Sequence, residues 1–129
     1  MRKVLVVDDE PHVSRVLRIS LERAGYSVEV AANGELGLRR YQEWGPDVMV
    51  TDIRMPKMSG RELVEAIRNE CSDNKLLIIV MTSSIELEYR DWTEGATNLR
   101  FVEKPVSPRK IIEIVNSVRD ECLKESGLC

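Results

Sequence analysis

The stretch VLVVDDEPHV, residues 4–13, places four apolar residues directly before three consecutive acids. A continuous run of Val and Leu is typical of a parallel strand that is buried on both faces. Pro11 follows the acids and favours the first turn of a helix. The stretch therefore predicts a buried strand, an acidic turn and a helix. It also raises the question of why a stable fold would put charge at the end of its most buried strand.

The alternation of apolar runs and helical patterns continues along the chain. The apolar runs are Val4–Val7, Val28–Val30, Val48–Val50, Leu76–Met81 and Leu99–Val102. The second and fifth runs alternate more in polarity, as expected of edge strands. The apolar stripe of the first predicted helix, which ends at Gly25, consists of Val13, Val16, Leu17, Leu21 and Ala24.

Four further helices are predicted from capping signals and periodicity. Asn33-Gly34 opens the second helix, Ser59 and Glu62 form a capping-box pattern before the third, and Ser107-Pro108 opens the last. The pattern after Ser84 is the weakest of the four. Five strands alternating with five helices predict an α/β three-layer sandwich.

The composition fits one globular domain. The length of 129 residues is that of one domain, in which approximately 121–129 form a C-terminal tail. A net charge of −3 argues against nucleic-acid or membrane-surface binding by this chain. The chain lacks a signal-peptide pattern and an apolar run of about 18 residues, so a cytoplasmic protein is expected. Three widely spaced cysteines do not suggest a disulfide framework or a zinc site.

Polar side chains follow four of the predicted strands. Asp8 and Asp9 follow the first strand, Asp52 the third, Thr82 the fourth and Lys104 the fifth. Each has an ordinary explanation when taken alone, such as a turn residue or, for Asp9, a helix cap. In a parallel α/β sheet, however, ligands bind outside the carboxyl ends of the strands. We therefore expect these five side chains to meet at one edge of the sheet.

Three carboxylates at one edge require compensating positive charge. Two carboxylates ~5 Å apart repel each other by about 3 kcal/mol at an effective dielectric near 20, and three such pairs approach the stability of a whole domain. Lys104 offsets part of this repulsion, and a divalent cation would offset more. Mg²⁺ suits carboxylate and phosphate oxygens, whereas Zn²⁺ is disfavoured because the single histidine, His12, lies on the first helix.

These groups together can carry out phosphoryl transfer. A carboxylate can attack phosphorus and form an acyl phosphate. Mg²⁺, the ammonium group of Lys104 and the hydroxyl group of Thr82 would stabilise the oxygens of the transferred group. Asp52 is the predicted nucleophile, because it ends the central strand and has neighbours on both sides.

Four segments of the chain, in order, resemble the receiver domain of two-component response regulators. They are VLVVDDE, DVMVTDIRMPKMSG, VMTSS and FVEKP. The second segment meets the pattern D-x-x-M-P-x-x-x-G with Asp52, Met55, Pro56 and Gly60. The resemblance covers roughly residues 2–120, and it implies a flavodoxin-like sheet of order 2-1-3-4-5 with five helices.

The resemblance also implies a set of metal ligands. Asp9 and Asp52 would bind Mg²⁺ directly, Asp8 would bind it through water, and the backbone carbonyl group of Arg54 would be a further ligand. The implied protein is a signalling switch rather than a conventional enzyme, although it catalyses its own phosphorylation and dephosphorylation.

The implied phosphoryl donor is a histidine kinase or a histidine phosphotransfer protein, and hydrolysis at Asp52 resets the switch. Thr82 would move towards the phosphoryl group and Phe101 would turn inward behind it. The output partner is not specified, and a phosphorylation-dependent homodimer is a further partner that the resemblance allows. No membrane partner is expected.

One departure from the family pattern concerns the region before the fifth strand. Gly95-Ala96 lies six residues before Phe101 instead of about four, which suggests a shortened fourth helix and a longer loop. Two alternative functions remain open. The chain could be a receiver-like interaction module that acts without phosphorylation, although such modules usually lack one of the acids, the threonine or the lysine. It could also be an aspartyl phosphatase, but Arg54 stands where that class typically has a second acid.

Overall fold

Five parallel strands form the centre of the chain in a computed structural model, which describes residues 2–55, 57–70, 76–83 and 98–125. The strands are β1 (Lys3–Val7), β2 (Ser27–Ala31), β3 (Val48–Asp52), β4 (Leu77–Thr82) and β5 (Leu99–Glu103). Their order is β2-β1-β3-β4-β5, and every neighbouring pair is parallel. The predicted order 2-1-3-4-5 is confirmed, with the second and fifth strands at the edges.

The described part of the chain contains four helices. They are α1 (Pro11–Arg23), α2 (Gly34–Trp44), α3 (Gly60–Glu70) and α4 (Pro108–Glu125). The predicted short helix after Ser84 lies outside the described residues, so the structure contains four of the five expected helices. Helix α4 continues to Glu125, and the predicted tail from about 121 overlaps its last turn. None of these helices is long and apolar enough to cross a membrane.

The sheet separates two layers of helices, because successive strand residues point to opposite faces. On one face, Leu17 and Leu21 of α1 and Ile111 of α4 pack against Val4 and Val50. The other face buries strand side chains against α3. This second cluster includes Leu5, Val7, Met49, Leu63, Val64 and Ile67. Each fully buried aliphatic side chain contributes about 1.5–3 kcal/mol, so the two faces together hold the sheet in place.

The stripe predicted for α1 was wrong at Val16, which is 51% exposed, and at Ala24, which is exposed and follows the last helical residue, Arg23. Successive helix residues are separated by about 100°, so Val16 lies beside the buried stripe instead of on it. That stripe is centred on Leu17 and Leu21, and Ser14 takes the third buried position. The Ser14 hydroxyl donates to the carbonyl oxygen of Pro11 at 3.0 Å, which allows a polar residue to be buried there.

Capping interactions begin two of the helices. The hydroxyl oxygen of Ser59 accepts from the backbone N–H of Glu62 at 3.2 Å, and the Glu62 carboxylate accepts from the Ser59 N–H at 3.4 Å. The predicted capping box is therefore confirmed. Asn33 caps α2 by accepting from the N–H of Leu36. The cap position of α1 is Glu10, which makes no side-chain cap, so Asp9 does not cap this helix.

Gly60 joins the start of α3 closely to the end of β3. Its N–H donates to the carbonyl oxygen of Ile53 at 2.8 Å. A Cβ atom at Gly60 would lie 2.1 Å from the carbonyl oxygen of Asp52, well inside van der Waals contact. A side chain at this position would therefore displace either the start of α3 or the end of β3.

We expect Gly60→Ala to lower the free energy of unfolding by about 2–3 kcal/mol, because overpacking against backbone has no flexible neighbour to absorb it. Gly45→Ala is the matched control. Gly45 has a φ of 66° but open space around its Cα, so only the conformational cost of about 1 kcal/mol applies. Urea unfolding measures both values. Equal losses of unfolding free energy in the two variants would show that the close approach of Gly60 to the Asp52 carbonyl oxygen adds no cost.

Candidate functional site

Strand register brings the predicted polar residues to one edge of the sheet. Val7 pairs with Thr51 across β1 and β3, so Asp8 and Asp52 lie next to each other at the ends of these strands. One carboxylate oxygen from each of Asp8, Asp9 and Asp52 lies within 4.8 Å of the others. The three acids expected to meet at this edge are thus together in the structure.

Lys104 is the cation nearest to Asp52 in the described part of the chain. Its ammonium nitrogen lies 2.9 Å from Oδ1 of Asp52, whose side chain is 7% exposed. The N–H of Ile53 donates to the same oxygen at 2.8 Å. None of the described residues donates to Oδ2. The two oxygens of Asp52 therefore differ in their contacts with the described residues: Oδ1 accepts from two of them and Oδ2 accepts from none.

The pKa of Lys104 is raised. Burial disfavours the ammonium and would lower its pKa, but the hydrogen bond and negative charge of Asp52, with the charge of Asp8, outweigh that effect. Lys104 is therefore fully protonated at neutral pH and supplies a fixed positive charge beside Oδ1.

Asp8 is a buried carboxylate that is only partly hydrogen-bonded to the described residues. It is 2% exposed, and its Oδ1 accepts from the N–H of Glu10 at 2.9 Å. Its Oδ2 is buried and has no hydrogen-bond partner among the described residues. Burial raises the pKa of Asp8, and the charges of Asp52 and Asp9 raise it further, against the lowering effects of the Glu10 N–H and Lys104.

This arrangement fits a hard divalent cation. The cluster carries three carboxylates against the single ammonium of Lys104, and a buried oxygen of Asp8 has no partner in the described ranges. All three ligand groups are carboxylate oxygens, which Mg²⁺ prefers. Within the same ranges, neither His nor Cys joins the group, so a softer metal has no matching ligand. Arg54 is exposed two residues after Asp52, and the role of its carbonyl group stays a prediction.

Thr82 and Phe101 occupy the neighbouring strands. Thr82 is 4% exposed at the end of β4, and its carbonyl oxygen accepts from the N–H of Lys104 at 2.8 Å. Phe101 pairs with Val80 and packs, partly buried, against the core cluster on the α3 face. The structure places Thr82 at the same edge as the acids and Phe101 two residues before the end of its strand. Their switch roles stay predictions.

A groove that the sequence did not predict opens beside Lys104. It has a volume of about 540 Å³ and lies between α1 and the segment that leads into α4. The lining is mainly apolar and includes Val13, Val16, Leu17, Met81, Val106 and Pro108. The signal in the sequence was the excess of apolar residues on α1, which is wider than one buried stripe requires. We call this feature the α1–α4 groove.

Comparison with known proteins identifies the family. Residues 4–116 match the response regulator receiver domain, and the chain belongs to this family. Members of the family are phosphorylation-based signalling switches rather than conventional enzymes, and they bind Mg²⁺ at an aspartate cluster. The class of protein predicted from the sequence is confirmed.

Individual relatives agree with this assignment. The chain is 32% identical over 119 residues to the alkaline phosphatase synthesis transcriptional regulatory protein PhoP of Bacillus subtilis, which covers 91% of the chain and 48% of PhoP. It is 29% identical over 118 residues to the chemotaxis protein CheY of Thermotoga maritima, which covers 91% of the chain and 97% of CheY. The chain thus spans about half the length of transcriptional regulators such as PhoP and almost all of CheY.

A solved structure extends the agreement to three dimensions. A CheY-like response regulator receiver domain protein from Methanospirillum hungatei matches with a TM-score of 0.84 and 28% identity. The match covers 97% of this chain and 98% of that chain. The flavodoxin-like fold expected from the sequence is therefore shared with a known receiver domain.

We expect Asp8→Asn to raise the melting temperature of the metal-free protein by about 3–6 °C. The substitution removes a buried charge and its repulsion by Asp52 and Asp9. A gain of roughly 1 kcal/mol in stability shifts the melting temperature of a domain of this size by that amount. The same substitution should reduce the gain in melting temperature on addition of Mg²⁺. Asp9→Asn is the matched control, since it removes the same charge from an exposed position and lacks the burial of Asp8. A lower metal-free melting temperature for Asp8→Asn would contradict this interpretation.

The raised pKa of Asp8 determines how the stability of the metal-free protein changes with pH. The folded protein holds the Asp8 proton more tightly than the unfolded chain, because the folded pKa is raised. The metal-free wild type should therefore lose stability as pH rises from the ordinary aspartate pKa through the raised pKa of Asp8, and stay less stable above it. This loss of stability with rising pH should be missing in Asp8→Asn. Urea unfolding in EDTA across the acidic range measures the difference between the two proteins.

Proposed function

We propose that this chain accepts a phosphoryl group on Asp52 from a histidine kinase or a histidine phosphotransfer protein, and that the phosphorylated form controls a partner or effector. The observation that carries the proposal is the contact between Lys104 and Oδ1 of the buried Asp52 at 2.9 Å. It leaves Oδ2 without a donor from the described residues and next to a cluster of three carboxylates.

The reaction follows from this asymmetry. Oδ2 of Asp52 attacks phosphorus and forms a P–O bond, while the bond from phosphorus to the donor nitrogen or oxygen breaks and the leaving group takes its electron pair. Lys104 binds the oxygens of the transferred group, whose negative charge it neutralises. Hydrolysis of the acyl phosphate later returns Asp52 to its carboxylate form.

Asp8, Asp9 and Asp52 are the side chains that would hold Mg²⁺, with Asp8 acting through water and the Arg54 carbonyl group as a further ligand. When bound, Mg²⁺ supplies positive charge that neutralises the carboxylates and the phosphoryl oxygens. Without it, the protein must bring a negatively charged donor to an edge that already carries excess negative charge.

The response to phosphorylation would begin at Thr82. The N–H of Lys104 donates to the Thr82 carbonyl oxygen at 2.8 Å, so the ends of β4 and β5 are tied at the level of the site. A phosphoryl group on Asp52 offers the Thr82 hydroxyl a charged acceptor, and Phe101 on the adjacent strand would repack behind it. The phosphate biases the equilibrium between the two packings.

The α1–α4 groove gives the phosphodonor a surface next to Asp52. Lys104 lines this groove and also contacts Asp52, so a partner that docks there brings its phosphohistidine to the reacting carboxylate. The mainly apolar lining fits a helix that presents apolar side chains around that histidine. Half-exposed Val16 is the most exposed of the large hydrophobic residues that line the groove, so it is the apolar contact most accessible to such a helix.

The alternative, an interaction module that acts without phosphorylation, is less well supported. Asp52, Thr82 and Lys104 are all present, and Lys104 is in contact with Asp52. The phosphatase alternative is weaker still, because an exposed arginine, Arg54, stands two residues after Asp52. Neither alternative explains why, among the described residues, both donors to the buried Asp52 carboxylate contact Oδ1 and none contacts Oδ2.

We expect Asp52→Asn to abolish labelling by acetyl phosphate and Mg²⁺, because the amide oxygen is not a nucleophile towards phosphorus. Asp47→Asn is the matched control, since Asp47 precedes β3 at the opposite edge of the sheet and is exposed. A phosphate-affinity gel and mass spectrometry of the intact protein measure the label. Full labelling of Asp52→Asn, mapped to another residue, would overturn the assignment.

We expect Val16→Ser to slow phosphoryl transfer from a histidine kinase about tenfold while labelling by acetyl phosphate stays unchanged. The loss of apolar contact weakens docking by roughly 1–2 kcal/mol, and the small donor does not use the groove. Leu36→Ser is the matched control, because Leu36 is a 40% exposed apolar residue on α2 that does not line the groove. The assay uses any purified kinase that labels the wild type. Equal rates for wild type and Val16→Ser would exclude the groove as the docking surface.

A further inference from the structure

Thr51 is a fully buried polar residue that the proposed reaction does not yet use. It is 0% exposed and immediately precedes Asp52 on β3. By strand alternation it shares a face with Met49, away from the acids. Its register partners are Val7 on β1 and Val80 on β4, so two valines flank it in the sheet. Valine would fill this position without a buried hydroxyl, and the presence of the hydroxyl requires a reason.

The hydroxyl of Thr51 donates to the carbonyl oxygen of Asp52 at 2.9 Å. That carbonyl group belongs to the same peptide unit as the N–H of Ile53, which donates to Oδ1 of Asp52 at 2.8 Å. One planar peptide unit is therefore held on its carbonyl side by Thr51 and bonded on its N–H side to the phosphoacceptor carboxylate. A rotation of this unit would remove the Ile53 donor from Oδ1.

Gly60 closes the remaining side of this peptide unit. Its Cα lies so near the Asp52 carbonyl oxygen that a Cβ atom would approach to 2.1 Å, and its N–H donates to the Ile53 carbonyl oxygen. The packing of Gly60 limits how far the Asp52–Ile53 peptide unit can shift. The Thr51 hydroxyl bonds the carbonyl oxygen of that unit and so opposes its rotation. The Asp52 carboxylate is thus bonded to a peptide unit whose carbonyl group accepts from a hydroxyl on the opposite face of the sheet.

We propose that Thr51 is a positioning residue for phosphorylation: its hydroxyl orients the Asp52–Ile53 peptide unit, which holds Oδ1 and leaves Oδ2 to react. This inference rests on the proposed function, since it concerns the same carboxylate. Thr51 touches neither the phosphodonor nor the metal ligands other than through the backbone of Asp52. Its loss should therefore change the rate of reaction and not the affinity for the donor.

The test compares Thr51→Val, which removes the hydroxyl at nearly constant shape, with Thr51→Ser, which keeps it. We expect the phosphorylation rate constant at saturating acetyl phosphate and Mg²⁺ to fall about fivefold in Thr51→Val, as for loss of one neutral hydrogen bond. The acetyl phosphate concentration at half-maximal rate should stay unchanged. Thr51→Ser should restore the rate to within about twofold of wild type. The matched control is Ile79→Val, a buried substitution on β4 that perturbs stability without touching this peptide unit.

A spectroscopic readout follows the same peptide unit directly. The amide proton resonance of Ile53, measured by NMR without Mg²⁺, should move upfield in Thr51→Val and stay in place in Thr51→Ser and Ile79→Val. If Thr51→Val does not fold, Thr51→Ala takes its place in both measurements. A wild-type rate in Thr51→Val, an equal loss in Ile79→Val, or no rescue by Thr51→Ser would overturn the role of Thr51. Absence of label on the wild type would instead overturn the proposed function, and the positioning role with it.

Discussion

The register between β1 and β3 is the constraint on which the site depends. Val7 pairs with Thr51, so the two following acids, Asp8 and Asp52, leave the sheet side by side. Both strands are buried on both faces, and a slip of one residue would turn every apolar side chain to the wrong layer. The apolar packing of the two central strands therefore holds two carboxylates together against their repulsion.

Charge at this edge is balanced only in part. Lys104 neutralises one carboxylate, and it is held there by its own backbone bond to Thr82 as well as by Asp52. The remaining negative charge falls on the exposed Asp9 and on Asp8, one of whose oxygens is buried without a partner in the described chain. We expect a site in this state to gain stability from a cation and to respond strongly to any further charge. In the proposed function, metal binding and switching would both draw on this electrostatic imbalance.

The sequence carried most of this architecture because its signals are local or periodic. Val-rich runs, the Ser59–Glu62 capping box and the acids after the strands predicted the sheet, its edges and the cluster. Val16 was misplaced because helical spacing alone does not separate a buried stripe from the flank of a groove. The unequal oxygens of Asp52 and the hydroxyl bond of Thr51 depend on peptide orientation, which residue types do not encode. The helix expected after Ser84 lies outside the residues that the structure describes.

Trp44 lies at the opposite edge of the sheet from the acids, where Lys3 fixes it. The Lys3 ammonium group donates to the Trp44 carbonyl oxygen at 3.2 Å and lies 5.7 Å from the centre of the indole ring. Indole emission depends on the immediate surroundings of the ring, so we expect the fluorescence of Trp44 to report unfolding and not chemistry at the far edge. With Trp92 replaced by Phe, Trp44 is the single tryptophan of the protein. Its fluorescence would then show, in the same sample, whether a variant that loses function is still folded.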